Sequence, residues 1–129
     1  MSQPGDVARA VAEVATRIIG DADRETMLVF HLDAGNKINA VETVSVGSLN
    51  ETRTPPREIF KGAIIANALG IVLAHNHPSG TLHWSHEDLE FTRTIVYAGN
   101  SWGIQVYDHV LVTASGHRSA REDGLIEFS

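Results

Sequence analysis

At 129 residues the chain is one domain's worth, and 43% apolar with 20% charged residues is the balance of a globular protein. It has no cysteine, which excludes disulfides, thiolate zinc knuckles, iron–sulfur clusters and cysteine nucleophiles. Ten Lys and Arg against sixteen Asp and Glu leave a net charge of −6, the wrong sign for a protein that mainly grips phosphate backbones.

Val7, Val11, Val14 and Ile18 recur at helical spacing, with Asp6 as a candidate N-cap and Gly20 as a stop. Met27 to Leu32 reads as a buried strand, and a turn at Asp33-Ala34-Gly35-Asn36 leads into an alternating strand from Ile38 to Val46. Ile38, Ala40, Glu42, Val44 and Val46 form one set there, so an antiparallel hairpin is expected. Thr54-Pro55-Pro56 opens a second helix, capped by Thr54 and running to Gly70. Ile71 to Ala74 is a short apolar run suited to a central strand. A third helix is expected from about Ser85 to Gly99-Asn100, followed by strands at Ile104–Tyr107 and Val110–Thr113 and a turn at Ala114–His117. The order α-β-β-α-β-α-β-β predicts an α/β fold, a single mixed β-sheet flanked by helices, and effectively one domain over 1–129. Residues 1–22 would supply a helix packed on the domain at 23–129. No signal-peptide pattern opens the chain, and Ala63 to Ala74, the longest apolar stretch, is short of the ~20 residues of a membrane helix. A cytoplasmic location and no membrane contact are expected.

Seven histidines are present, four of them between His75 and His86. In the string Ala74-His75-Asn76-His77-Pro78-Ser79-Gly80, alternation along an extended backbone puts His75 and His77 on one side, half of a zinc site. Ten residues separate His77 from Asp88, enough for a loop and a helix start to return a carboxylate over the imidazoles. Two His and one Asp leave a fourth tetrahedral position for water, the layout of a catalytic rather than a structural Zn2+ site. The same residues also fit two unconnected histidines and a Ser-x-x-Asp helix cap at Ser85–Asp88. His83, His86 and His117 read as surface residues, His31 as a satisfied buried or half-buried histidine, and His109 as a structural residue at a strand end, with support of the metal ligands from behind as its alternative role. Asn76 points away from its histidine neighbours and reads as a backbone anchor, and Trp84 stands beside the expected metal as a candidate substrate contact.

His75-x-His77, seven residues, Ser85, two residues and Asp88 resembles the JAMM/MPN metalloprotease motif at every spacing. The longer His75–Gly80 string, Ser85–Leu89, Asp108-His109, Thr54–Lys61 and Arg121–Leu125 are similar to its RadC-like branch. The resemblance implies a zinc hydrolase acting on a protein or peptide, on a fold similar to the cytidine-deaminase sandwich. It implies His75, His77 and Asp88 as ligands and Ser85 as the residue that steadies the bound water or oxyanion. It also implies an upstream glutamate as general acid/base, which by position is Glu25, with Glu58 as the competing choice. Branch members commonly carry an N-terminal module similar to helix-hairpin-helix, whereas only a single helix is read before Arg24. The loop Thr81-Leu82-His83-Trp84 also departs from the Asp/Pro-rich form expected there. Two other functions compete with hydrolysis of a peptide or isopeptide bond: a DNA-repair or nucleic-acid-processing role, opposed by the charge, and an inactive binding module.

Overall fold

The computed structural model describes residues 4–47 and 54–128. Helix α1 (Pro4–Ile19) leads into strands β1 (Thr26–Leu32) and β2 (Ile38–Val46), helix α2 (Pro56–Ile65) and strand β3 (Gly70–Asn76). Helix α3 (His86–Trp102) and strands β4 (Gln105–Thr113) and β5 (Gly116–Ser119) complete the chain. The strands form one sheet in the order β2-β1-β3-β4-β5, with β3 and β4 parallel and every other pair antiparallel. This is the expected mixed α/β sheet.

Alternation divides the core into two layers. Leu28, Phe30, Val72, Ala74, Val110 and Val112 pack against α1 through Val7, Val11 and Ala15. Met27, Val29, Ile71, Leu73 and Val106 face the other way, against Ile59 and Phe60 of α2 and Phe91 and Ile95 of α3. Every residue of β1 and β3 is buried, as befits strands covered on both faces.

Four local expectations are corrected. Asp6 does not cap α1: it lies in the first turn, paired with Arg9. Thr54 does not cap α2: Pro55 holds the N-cap position without a side-chain hydrogen bond, and the Thr54 hydroxyl is buried. That helix stops at Ile65 rather than Gly70, because Asn67 turns left-handed (φ 58°) and Ala68 N–H closes back on Ala63 O at 2.9 Å. Strand β2 does not keep one alternating face. Register shifts against β1 at both ends put Ile38 with Val41 on the α1 side and Val44 on the α2–α3 side.

The C-terminal strands differ most. Ile104–Tyr107 and Val110–Thr113 are not two strands but one, interrupted by a bulge, since Ile71 pairs with Val106 and Val72 with Asp108. The supposed turn at Ala114–His117 is a two-residue turn, and β5 begins at Gly116. Asp108 stabilises the bulge by accepting from the His109 N–H (2.7 Å), the Arg121 N–H (3.0 Å) and the Ser119 hydroxyl.

Gly99 does not end α3, which continues to Trp102 and stops at the left-handed Gly103. A Cβ at Gly99 would sit 2.5 Å from the Ile104 carbonyl and 3.1 Å from both Phe60 and Val106. Gly99→Ala is therefore expected to cost about 1–3 kcal/mol in denaturant unfolding, although alanine alone favours helix by about 1 kcal/mol. An equal or higher stability would show that α3 is not pressed on the sheet at this point.

Candidate metal centre

The site lies where β3 ends and α3 begins. The last strand residues and the following loop bring His75 and His77 together, their ring centroids 4.9 Å apart. Ser85 is the N-cap of α3, its hydroxyl accepting the Asp88 N–H at 3.0 Å while Asp88 Oδ2 accepts the Ser85 N–H at 3.0 Å. That reciprocal capping box holds the Asp88 carboxylate at the helix N-terminus, where the helix dipole also favours it. The capping reading and the ligand reading of Ser85–Asp88 thus describe one arrangement. His77 Nε2 lies 3.0 Å from Asp88 Oδ2, His75 Nε2 3.3 Å from Asp88 Oδ1, and the two Nε2 atoms 3.1 Å from each other.

These distances suit a shared cation. Zinc bound at about 2.0–2.1 Å in a tetrahedron separates its ligand atoms by roughly 3.3 Å. Among the described residues, His75, His77 and Asp88 are the group of His and acidic side chains that lies close enough to bind a metal ion. The protonation pattern agrees. His77 Nδ1 donates to the Thr81 carbonyl at 3.2 Å, so Nε2 of the neutral ring is a bare lone pair beside the carboxylate. A positive charge belongs there, either a metal ion or a proton. With no metal the hydrogen bond and charge of Asp88 raise the His77 pKa above 6.5 against the effect of burial, with smaller help from Thr81 and Glu25. Burial pushes the Asp88 carboxyl up, but His75, His77 and the Ser85 N–H together hold it far below the usual carboxylate range.

The raised His77 pKa gives a sign to the pH dependence. In the metal-free fold the extra proton adds stability below pH 6.5, and that stability is lost as pH rises through the raised value. A metal must displace the same proton. Zinc affinity, measured by competition with a chelator of known pH behaviour, is expected to be weaker at about pH 6 than at about pH 8, with protons released on binding. An affinity unchanged over that range would remove His77 from the ligand set.

Behind His75, His77 and Asp88 lies a buried polar row. His75 Nδ1 is 2.7 Å from His109 Nε2, and His109 Nδ1 is 2.5 Å from the Thr92 hydroxyl, which donates to the Asp88 carbonyl at 2.7 Å. His109 is fully buried, and burial foremost, then the nearby His75, drives its pKa well below 6.5. It stands mid-strand rather than at a strand end, and the bulge turns it toward α3: parallel partners share a face, and His109 pairs with Leu73. Helical spacing marks Thr92 as an inward residue of α3, which its burial bears out, but not as part of the site; it lies one helical turn beyond Asp88 and so on the same face.

Asn76, between the two histidines, projects the other way as expected. It accepts the Thr26 N–H at 2.7 Å and donates to the Arg24 carbonyl at 3.1 Å, so it holds the backbone on both sides of Glu25. Trp84 packs on the imidazoles, with ring centroids 5.2 Å from His109 and 6.1 Å from His75, and its indole N–H donates to Asp123 at 3.1 Å. Glu58 lies in the first turn of α2 and pairs with Lys61 at 3.2 Å. His83, His86 and His117 are exposed, as read from the sequence; His31 is buried as expected but only half satisfied, with Nε2 3.2 Å from Glu42 and Nδ1 without a hydrogen-bond partner among the described residues.

The family model for the RadC-like JAB domain matches residues 2–125. A UPF0758 protein of Caldanaerobacter subterraneus is 41% identical over 128 residues, covering 99% of this chain and 53% of that protein. One from Symbiobacterium thermophilum is 44% identical over 118 residues (92% and 50%), and one from Rubrobacter xylanophilus 44% over 108 residues (84% and 47%). The chain spans about half the length of these relatives. The match begins well before the motif residues and takes in α1, whose apolar face is buried against the sheet. With the motif residues assembled at one end of the sheet and a family match over nearly every residue, the chain belongs to the RadC-like JAB domain family.

Proposed function

We propose that this domain is a zinc-dependent hydrolase that cleaves a peptide or isopeptide bond, with His75, His77 and Asp88 as the metal ligands. The observation that carries this reading is the triangle of two imidazole nitrogens and a carboxylate at 3.0–3.3 Å, matched to a tetrahedral ion and left with one corner for water. Zinc held there would supply a water acidified to a pKa of about 7 and a Lewis acid for the carbonyl.

The chain's own groups then have distinct tasks. Glu25, set at the start of β1 by Asn76, lies close enough for its charge to act on His77, and serves as the base that takes the water's proton and passes it to the departing amine. Ser85 is an acceptor toward the Asp88 N–H, and its hydroxyl hydrogen is the one that would donate to the developing oxyanion. Because the Trp84 N–H is taken by Asp123, any contact of Trp84 with substrate is through its apolar ring.

The test is hydrolysis of a library of peptides and isopeptides by the zinc-loaded chain, by the same sample stripped with a chelator, and after zinc is restored. Cleavage that vanishes and returns with zinc is the expected result. A zinc-loaded chain that cleaves nothing in the library, or cleavage indifferent to the chelator, would remove this reading.

A further inference from the structure

We propose that Thr92 and His109 are positioning residues of the metal centre: they form a hydrogen-bonded chain that fixes the tautomer of His75, leaving its Nε2 free to bind metal. The proposal rests on the reading of His75, His77 and Asp88 as ligands. The chain starts at the Asp88 backbone carbonyl, which can only accept. Thr92 Oγ1 lies 2.7 Å from it, so the single hydroxyl hydrogen is spent there. Turned the other way, it would leave two bare oxygens in contact. Thr92 Oγ1 must then accept the His109 Nδ1–H at 2.5 Å, which makes His109 Nε2 the acceptor of a neutral ring. That atom takes the hydrogen of His75 Nδ1 at 2.7 Å. Each proton is placed by the link before it, and His75 Nε2 is left as a lone pair 3.1 Å from His77 Nε2 and 3.3 Å from Asp88 Oδ1.

The row closes on itself. It begins at the main chain of Asp88 and ends at an atom facing the Asp88 side chain, so two of the three ligands are tied together through Thr92 and His109. Ordinary back-bonding of a helical threonine accounts for the first link alone. It does not account for a bulged strand that turns a fully buried histidine into line with a ligand. Groups that hold a ligating imidazole in one tautomer typically control metal affinity by about 10–100-fold.

Thr92 permits a discriminating test, because it is fully buried and two near-isosteric changes act oppositely. Thr92→Val keeps the packing and removes the hydroxyl. Thr92→Ser keeps the hydroxyl and removes a buried methyl, which lowers thermal stability. Zn2+ or Co2+ alone is titrated into each protein against a chromophoric chelator, and unfolding is followed in parallel. Thr92→Val is expected to bind about 10–100-fold more weakly and Thr92→Ser within about threefold of the wild type, whatever the order of their melting temperatures. His109→Phe is expected to match Thr92→Val. Wild-type affinity in Thr92→Val, or loss in Thr92→Ser equal to that in Thr92→Val, would overturn the proposal while leaving the metal site in place. A wild-type chain that binds neither ion would overturn both. Metal bound with the expected Val–Ser difference but no hydrolysis would support this inference and count against the peptidase reading alone.

Discussion

His75→Ala, His77→Ala and Asp88→Ala are each expected to lose stoichiometric zinc, whereas His117→Ala keeps it. A three-ligand site has no spare donor, so removing one corner leaves two ligands and an uncompensated set of lone pairs. The exposed histidines provide controls from within the motif: His83 and His86 fall in the loop and helix start between His77 and Asp88, yet both are exposed and lie outside the group that could hold a metal. Asp88→Ala also breaks the capping box, at about 1 kcal/mol of helix stability, so Asp88→Asn is the companion that keeps the cap and removes the charge. Zinc content by mass spectrometry, with circular dichroism to confirm the fold, reads the result. Zinc lost from His83→Ala or His86→Ala but kept by Asp88→Ala would make the ligand set wrong.

The second large effect is expected at Glu25. Glu25→Gln should keep both fold and zinc yet lose about 10²–10⁴ in kcat with little change in KM, because glutamine can hydrogen-bond but cannot take a proton from water. Its backbone is held from both sides by Asn76, and a change at the side chain leaves those bonds intact. Glu58→Gln is the matched control, since Glu58 sits in a helix's first turn and pairs with Lys61 on the surface. Such exposed pairs contribute about 0–1 kcal/mol, so only a small stability change is expected there. A dead Glu58→Gln beside an active Glu25→Gln would move the base to α2. If both variants stayed active, the proposed proton transfer would be excluded.

The parts of this molecule that could be read from the sequence are those whose signal is local. Ile71–Ala74 announces a buried strand by composition, and His75, His77, Ser85 and Asp88 announce a site by fixed spacing. The parts that could not be read depend on pairing. Nothing local shows that Asp108 and His109 continue a strand; a polar pair between two apolar runs looks like an interruption. Only pairing with β3 shows that one bulge makes β4 continuous and turns His109 toward His75. The predicted element order matched the structure in part by compensation: two expected strands merged into β4, while β5 emerged from an expected turn. For β2, the two register shifts break the alternation on which its predicted face relied. Thr92 is legible as an inward helical residue, but its link to His109 is not, because that depends on the strand bulge.

Whether His75, His77 and Asp88 hold a metal ion is decided by the metal content of the folded chain after exposure to zinc and removal of the unbound ion. About one zinc per chain, stripped by a chelator and regained on resupply, is the predicted result. A correctly folded chain that retains no zinc under those conditions would mean that the three side chains do not form a zinc site.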